Sequence, residues 1–460
     1  MPDRTAAVAA LRAELGDMPV IDDPALVKLK SRDFFWYSPI LKEELKAARG
    51  DLVVCPRDEA DIVRLAAACA RHRVPLTSRG AGTGNYGQAM PLMGGVVMET
   101  LALDKILSAR DGILRVQCGK KMTEIDAELR PQGWELRMFP STKRTATIGG
   151  FICGGSGGIG SVTWGGLRER GNLLGARVVT MEETPRILEL VGDRTNLINR
   201  TYGATGIVTE LELPLQAAVA WRDLVIAFAD FADAARFGQD LANHQAIEKK
   251  LVSAIAWPLP SYFRPLAGVV PEGQAIVIAM VSPAGCVAAA ELIAAHQGRL
   301  VHDEDAVAAE MDPERTPLFE FTWNHTTLQV LKKDRTNFTY LQSLFPIGRN
   351  LEAMAEMRAH FGDEVMMHAE FIRFEGALTN SALQVVRYTT AERLNQIIAY
   401  HESHGVMIAN PHVVTVEDGS RHKRVPGDQL AFKHEVDPMG LLNPGKMRSF
   451  VPAAADKAAE

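Results

Sequence analysis

Arg79-Gly80-Ala81-Gly82-Thr83-Gly84-Asn85 sets three glycines beside a guanidinium, between the strand-like runs Val74-Pro75-Leu76-Thr77 and Gly95-Val96-Val97-Met98. Residues this small let successive backbone N–H groups turn inward as an anion nest. The Arg79 fork suits phosphate oxygens. The loop therefore reads as the diphosphate cradle of a bound dinucleotide. A second chemistry, proton transfer, is available further along. In Val365-Met366-Met367-His368-Ala369-Glu370-Phe371, strand alternation puts His368 and Glu370 on one face. Trp323-Asn324-His325 and Asn410-Pro411-His412 are similar polar islands. Each histidine has a structural alternative, as a buried hydrogen-bonded side chain. Lys446 and Arg373 are the candidate cations for a substrate carboxylate.

The loop has other readings. A plain glycine-rich turn needs glycine too. Gly82-x-Gly84-x-x-Gly87 satisfies the dinucleotide fingerprint of a Rossmann fold, but Pro91 and the next strand leave no room for the helix that motif requires. A phosphate loop of the Walker type lacks its Gly-Lys-Ser/Thr ending. What positions the loop is a β-α-β unit: the short strand Leu52-Val53-Val54-Cys55, and a helix capped by Asp58 with Ile62, Leu65, Ala66 and Cys69 on one face. The strand at Val74 then delivers the loop.

A strand from Leu114 to Cys118 and a helix from Met122 to Leu129 lead to a second glycine block. It comprises Phe139-Pro140-Ser141-Thr142, Thr147-Ile148-Gly149-Gly150 and Gly154-Gly155-Ser156-Gly157-Gly158-Ile159-Gly160-Ser161. Paired glycines let backbone run flat against a large planar ligand. A flexible linker is the alternative, disfavoured by Ile148, Phe151, Ile152 and Ile159 at core-like spacing. Strands over Leu174 to Met181 and Gly206-Ile207-Val208 to Leu213 close this half.

The order RGAGTG, TIGGFICGGSGG, YGATGIVTE resembles the FAD-binding domain of the vanillyl-alcohol oxidase / p-cresol methylhydroxylase superfamily, nearest its glycolate oxidase / D-lactate dehydrogenase branch. The resemblance covers roughly residues 45 to 215 and a C-terminal piece. It implies an α+β fold: a two-part FAD-binding domain and an α+β cap with an antiparallel sheet. It implies that Arg79 to Asn85 wrap the diphosphate, that Pro140, Ser141, Thr142 and Gly149 to Ser161 line the flavin, and that Gly206, Ile207 and Val208 sit near the adenine. The ending Asp437-Pro438-Met439-Gly440-Leu441-Leu442-Asn443-Pro444-Gly445-Lys446 is similar to that of the 2-hydroxy-acid branch, and implies that Asn443 and Lys446 return toward the flavin. No His or Cys stands in the first loop, and the surroundings of Cys153 do not match the cysteine-tethered subset, so noncovalent FAD is expected.

The implied activity is oxidation of a small alcohol, a 2-hydroxy acid such as D-lactate, glycolate or 2-hydroxyglutarate, by hydride transfer to flavin N5. His325, His368, Glu370 and His412 are the catalytic candidates, and Asn324 and Arg373 the substrate-binding ones. Benzylic or phenolic alcohols, and an electron-transfer subunit of a larger complex, are the alternatives. The chain departs from metal-using relatives, carrying His368-Ala-Glu370-Phe-Ile-Arg373 where they have HxGDGN, and Glu417-Asp418-Gly419 where they have Glu-His-Gly. No metal site is carried over; a divalent ion on His368, Glu370 and His412 is a minor alternative.

The expected division is a helical lead-in over 1–45, an FAD-binding domain over 46–218, a substrate cap over 219–425 and a returning segment over 426–460. The chain has 460 residues, 47% apolar and 23% charged, with net charge −6, which argues against nucleic-acid binding. Five cysteines without CxxC spacing suggest a reducing, cytoplasmic setting. The uncharged run from Gly273 to Ala290 is broken by Ser282-Pro283-Ala284-Gly285 and reads as strand, turn and helix, not a membrane span. The electron acceptor and a homodimer are left open.

Overall fold

The computed structural model describes residues 4–417 and 424–452. Its first half holds two sheets. In the smaller, the strands Leu52–Val54, Val96–Glu99 and Leu76–Arg79 run parallel in that spatial order, with Val20–Ile21 antiparallel at one edge. The helix Glu59–His72 crosses between the first and last of them. The Asp58 carboxylate caps it by accepting from the Asp61 N–H, and the helix buries Ile62, Leu65, Ala66 and Cys69. No helix intervenes between Arg79 and Val96, so the glycine loop is a true loop at a strand end. The second sheet is antiparallel and built around the long strand Ile207–Ala217, which pairs Ile113–Gln117 on one side and Gly175–Val179 on the other.

The second half is organised by an eight-stranded antiparallel sheet. In spatial order its strands are Arg299–Asp305, Arg222–Phe228, Ala275–Val281, Lys249–Ile255, His368–Phe374, Ala377–Ala382, Ser343–Leu344 and Met407–Ile408. Both faces are covered, as the run of apolar residues in Ala275–Val281 requires. Val277, Ala279 and Val281 pack under the helices Phe231–Asn243 and Cys286–Ala295. Ile276, Ile278 and Met280 point the other way, into the core shared with the first half. The run from Gly273 to Ala290 is thus a strand, a turn and a helix start, and no helix among the described residues is long and apolar enough to cross a membrane.

Two expectations need correction. The stretch Val365 to Phe371 does not lie in one strand: Val365–Met366 pairs with Val385–Arg387 in a small three-stranded sheet, and His368–Phe374 joins the large one. The switch occurs at Met367, whose carbonyl accepts the Ala256 N–H at 2.9 Å. The second glycine block does not run flat throughout. Residues Ile148–Gly154 coil into a helix, its first turn closed by the Thr147 hydroxyl accepting from the Gly150 N–H. Glycine is a poor helix former, but a Cβ at Gly149 would stand 2.7 Å from the Cys118 carbonyl oxygen. Close packing of helix against strand therefore overrides propensity.

One buried histidine in the cap gives a pH dependence. His401 is fully buried; its Nδ1 lies 2.8 Å from the Ile397 carbonyl and its Nε2 2.9 Å from the Gln384 amide nitrogen, a pairing that suits the neutral ring. Burial holds its pKa down to about 4, while an unfolded histidine titrates near its ordinary value. Between these limits the unfolded chain binds the proton and the folded chain does not. The contribution is complete above pH ~6.5 and is lost as pH falls toward 4, amounting to roughly 3 kcal/mol. Urea unfolding at pH 7 and at pH 4.5 should show this loss in the wild type and a smaller one in His401→Gln.

Candidate functional site

A cavity of about 750 Å³ opens where the two halves meet, within the size range of cofactor sites. The first half lines it with residues 79–85, Pro140, Ser141, Thr142, Gly149, Gly150, Gly154, Gly155, Gly157, Ser161, Gly206 and Val208. Trp323, Asn324, His325, Ile372, Arg373 and Phe374 line it from the second half. The two glycine stretches, separated in the chain by the strands Ile106–Arg110 and Ile113–Gln117 and the helix Met122–Leu129, thus face one space. Glycine is needed at particular points. At Gly80 an added Cβ would collide with the Thr147 hydroxyl that caps the helix, whereas at Gly154 it would meet only the Gln88 amide tip, at 3.9 Å. We expect Gly80→Ala to cost about 1–3 kcal/mol of stability and to lower the flavin content of purified protein. Absorbance and a melting curve on the same sample check both.

Several sequence candidates do not reach the cavity. Gly158 and Gly160 instead lie against backbone, their Cβ positions blocked by Phe139 and Arg137. Ile207 turns into the core, 1% exposed. Asn443 is buried, and its amide donates to the carbonyls of Gln88 (2.8 Å) and Tyr202 (2.6 Å). Lys446, fully buried, donates to the Gly87 carbonyl. Both residues brace the loops that form the cavity from behind. Burial lowers the Lys446 ammonium to about 7, opposed by Asp33. Lys446 is therefore no cation for a substrate carboxylate. Arg79 is also redirected: its fork donates to the carbonyls of Arg32 and Ala81, which stiffens the glycine loop and leaves only Nε unpartnered.

The catalytic candidates separate in the same way. His412 is buried away from the cavity, with Nδ1 2.8 Å from the Ser38 hydroxyl and Nε2 2.9 Å from the Tyr340 carbonyl oxygen. It is a satisfied structural histidine. His368 and Glu370 do share a face, as alternation predicts, but that face is sealed; they are 0% and 1% exposed. Glu370 Oε1 collects three contacts: the Trp323 N–H at 2.7 Å, the Ser253 hydroxyl at 3.0 Å and His368 Nε2 at 2.7 Å. The carboxylate thus holds Trp323, which has φ 51° and ψ −142°, a conformation strained for a side-chain-bearing residue. The Trp323 ring lies 3.3 Å from where a Cβ on Gly157 would stand, so it forms part of the cavity wall. Among the described residues no cluster of three metal-ligating groups occurs, and His412 lies apart from His368 and Glu370. Asp418 and Gly419 lie outside the described residues; Glu417 accepts from the N–H groups of Arg448 and Ser449.

His325 is the histidine that lines the cavity. Its Nδ1 is buried without a partner. Burial, then the charges of Lys332 and Arg144, lower its pKa to about 4, against a contact with the Glu320 backbone. The ring is neutral at pH 7, so one of its two nitrogens is unprotonated, as a proton acceptor must be. Beside it stands Asn324, and Tyr86 hydrogen-bonds with Asn324 and Gln342. Arg373 lines the wall too and donates weakly to the Gly376 carbonyl, at 3.3 Å. Cys153 also faces the cavity, and burial pushes its thiol up to about 12, so it is protonated at neutral pH. Sequence reasoning missed Asp33, Tyr86, Arg168, Arg200 and Tyr202 on the wall. Tyr86 and Tyr202 could have been found, since one directly follows the first glycine loop and the other opens the motif YGATGIVTE; Asp33, Arg168 and Arg200 carry no local signal.

Residues 50–188 match the FAD binding domain family. The glycolate oxidase subunit GlcD of Bacillus subtilis is 29% identical over 194 residues, 40% of this chain and 41% of that protein. D-2-hydroxyglutarate dehydrogenase of Escherichia coli is 31% identical over 163 residues, 33% of this chain and 16% of that one. An uncharacterized FAD-linked oxidoreductase of Mycobacterium tuberculosis is 29% identical over 188 residues, 38% of this chain. The chain spans about 40% of the length of that relative in the alignment. Among solved structures, alkyldihydroxyacetonephosphate synthase superposes over 96% of this chain and 85% of its own, with a TM-score of 0.70 at 16% identity, a likeness of fold. These matches agree with the superfamily that the glycine motifs resemble.

Proposed function

We propose that this chain, which carries an FAD binding domain over residues 50–188, is an FAD-dependent oxidoreductase that oxidises a small alcohol, in the first place a 2-hydroxy acid. The observation that carries this reading is the shared cavity. Glycine-rich backbone lines it from the first half, and a neutral histidine with one unprotonated ring nitrogen lines it from the second. The residues present fit the cofactor. The 80–85 loop offers N–H groups to a diphosphate, the helix Ile148–Gly154 brings backbone to the cavity surface, and Ser78 Oγ and Arg79 Nε are buried polar atoms awaiting partners.

FAD, when bound, supplies the hydride acceptor. His325 takes the hydroxyl proton of the substrate on the ring nitrogen open to the cavity, and Asn324, Tyr86 and Gln342 orient the alcohol through hydrogen bonds. Arg373 offers a positive charge to an acidic substrate. The protonated Cys153 thiol is a poor nucleophile, which supports noncovalent attachment. In this reading residues 46–218 hold the cofactor, 219–425 present the substrate groups, and 426–460 return to brace the loops. Tyr86, Tyr202 and Trp323 on the wall favour aryl alcohols as the second reading.

Anaerobic mixing with D-lactate, glycolate, D-2-hydroxyglutarate and vanillyl alcohol tests the substrate class. Bleaching of the flavin by a hydroxy acid is expected, and bleaching by the aryl alcohol alone rejects it. Acid precipitation should release the yellow colour into the supernatant; colour kept in the pellet means a covalent bond.

A further inference from the structure

The cavity wall carries two arginines, Arg168 and Arg200, that make no ion pair with a carboxylate among the described residues. Arg200 Nε and the Tyr202 hydroxyl are buried and have no hydrogen-bond partner, and both residues line the cavity. They adopt left-handed backbone, with φ of 56° and 58°, on either side of Thr201, whose hydroxyl is tied to Ile198 and Thr205. Arg168 reaches the cavity edge and spends one N–H on the Asn199 carbonyl, at 3.0 Å. Packing around its guanidinium, and then the charge of Arg200, hold Arg168 below the ordinary arginine value, while Asp428 opposes.

Of the three acids on the same wall, Asp33, Glu169 and Glu375, two accept backbone N–H groups. Asp33 accepts from the N–H groups of Phe35 and Ala89, and Glu169 accepts from the Glu375 N–H at 2.7 Å. Arg79, the cation expected at the glycine loop, has its fork on carbonyls. Arg168 is exposed and Arg200 partly buried; the two like charges repel each other, and an anion placed between them relieves that repulsion.

We propose that Arg200, Arg168 and the Tyr202 hydroxyl form an anion subsite that receives a carboxylate of the substrate. The inference rests on the reading of the cavity as a cofactor-and-substrate site. It narrows the substrate to an acid whose carboxylate takes charge-assisted bonds from both guanidinium groups. It also supplies the cation that Lys446, buried behind the Gly87 carbonyl, does not.

Calorimetry with oxalate, a dicarboxylate with no hydride to transfer, tests the subsite on the full chain. Arg168→Gln and Arg200→Gln should each weaken oxalate binding by about tenfold or more. Flavin content and affinity for neutral benzyl alcohol should stay as in the wild type, and Arg200→Lys should recover part of the loss. Arg168, at the cavity edge, keeps the test decisive if the Arg200 variant does not fold. Oxalate affinity equal to the wild type in both variants overturns the proposal, as does the absence of oxalate binding by the wild type or equal weakening of benzyl alcohol. Loss of flavin from both variants overturns it in favour of contacts to the cofactor diphosphate. If the wild-type chain takes up no flavin, the proposed function fails by itself; the oxalate measurement on the colourless chain still decides the subsite.

Discussion

Alanine in place of His325 is expected to slow anaerobic reduction of the flavin by about 10²–10⁴-fold, the usual worth of a positioned general base, with flavin content unchanged. The imidazole lines the cavity from the start of the helix Asn324–Lys333, while the glycine stretches line it from the first half. Its removal therefore leaves the proposed cofactor contacts in place. The low pKa, about 4, has a kinetic counterpart: the free base persists through mildly acidic pH, so the rate should stay flat from pH 7 down to about pH 5. Stopped-flow traces of the wild type and His325→Ala over that range check both statements. A variant that reduces its flavin at the wild-type rate removes His325 from the chemistry.

Glu370→Ala is expected to be among the most destabilising single changes in the cap, at about 3–5 kcal/mol. The carboxylate takes the Trp323 N–H, the Ser253 hydroxyl and His368 Nε2 in a region with no access to water. Deleting it strands the Trp323 N–H, leaves the Ser253 hydroxyl and His368 Nε2 to pair with each other at 3.1 Å, and releases Trp323 from a backbone conformation that this contact supports. Glu370→Gln retains an acceptor oxygen and should lose markedly less. Urea unfolding of the two variants separates them. Equal midpoints for wild type and Glu370→Ala would show that the Trp323 turn is held by other means.

How far the sequence discloses this site differs from residue to residue. The loop at Gly80, its flanking strands and the Asp58-capped helix are legible because each follows from local rules: glycine for tight backbone, apolar spacing for the helix, a carboxylate at the cap. The pairing of His368 with Glu370 is legible as well, since alternation is local. Whether their face meets a ligand or is sealed depends on Ser253 and Trp323, which lie 117 and 47 residues away from Glu370. The polar pair is consequently a buried brace. Arg79 is the same lesson at shorter range: its partner Arg32, 47 residues earlier, leaves no trace in the motif. The helix Ile148–Gly154 is hidden by its own composition, glycine being disfavoured in helices, and only Thr147 marks its start. Arg200 escapes notice because left-handed backbone at non-glycine residues has no sequence signature.

Asn443 meets Thr77, 366 residues before it, and the Leu76 N–H and carbonyl take partners from the same late stretch. During synthesis the glycine loop therefore emerges long before the residues that close behind it. Contacts of such sequence separation form late. The nucleotide would meet a finished binding surface only after the ribosome has read through the Asn443 codon, so capture of the cofactor is a closing event of biogenesis and not a nucleus for it.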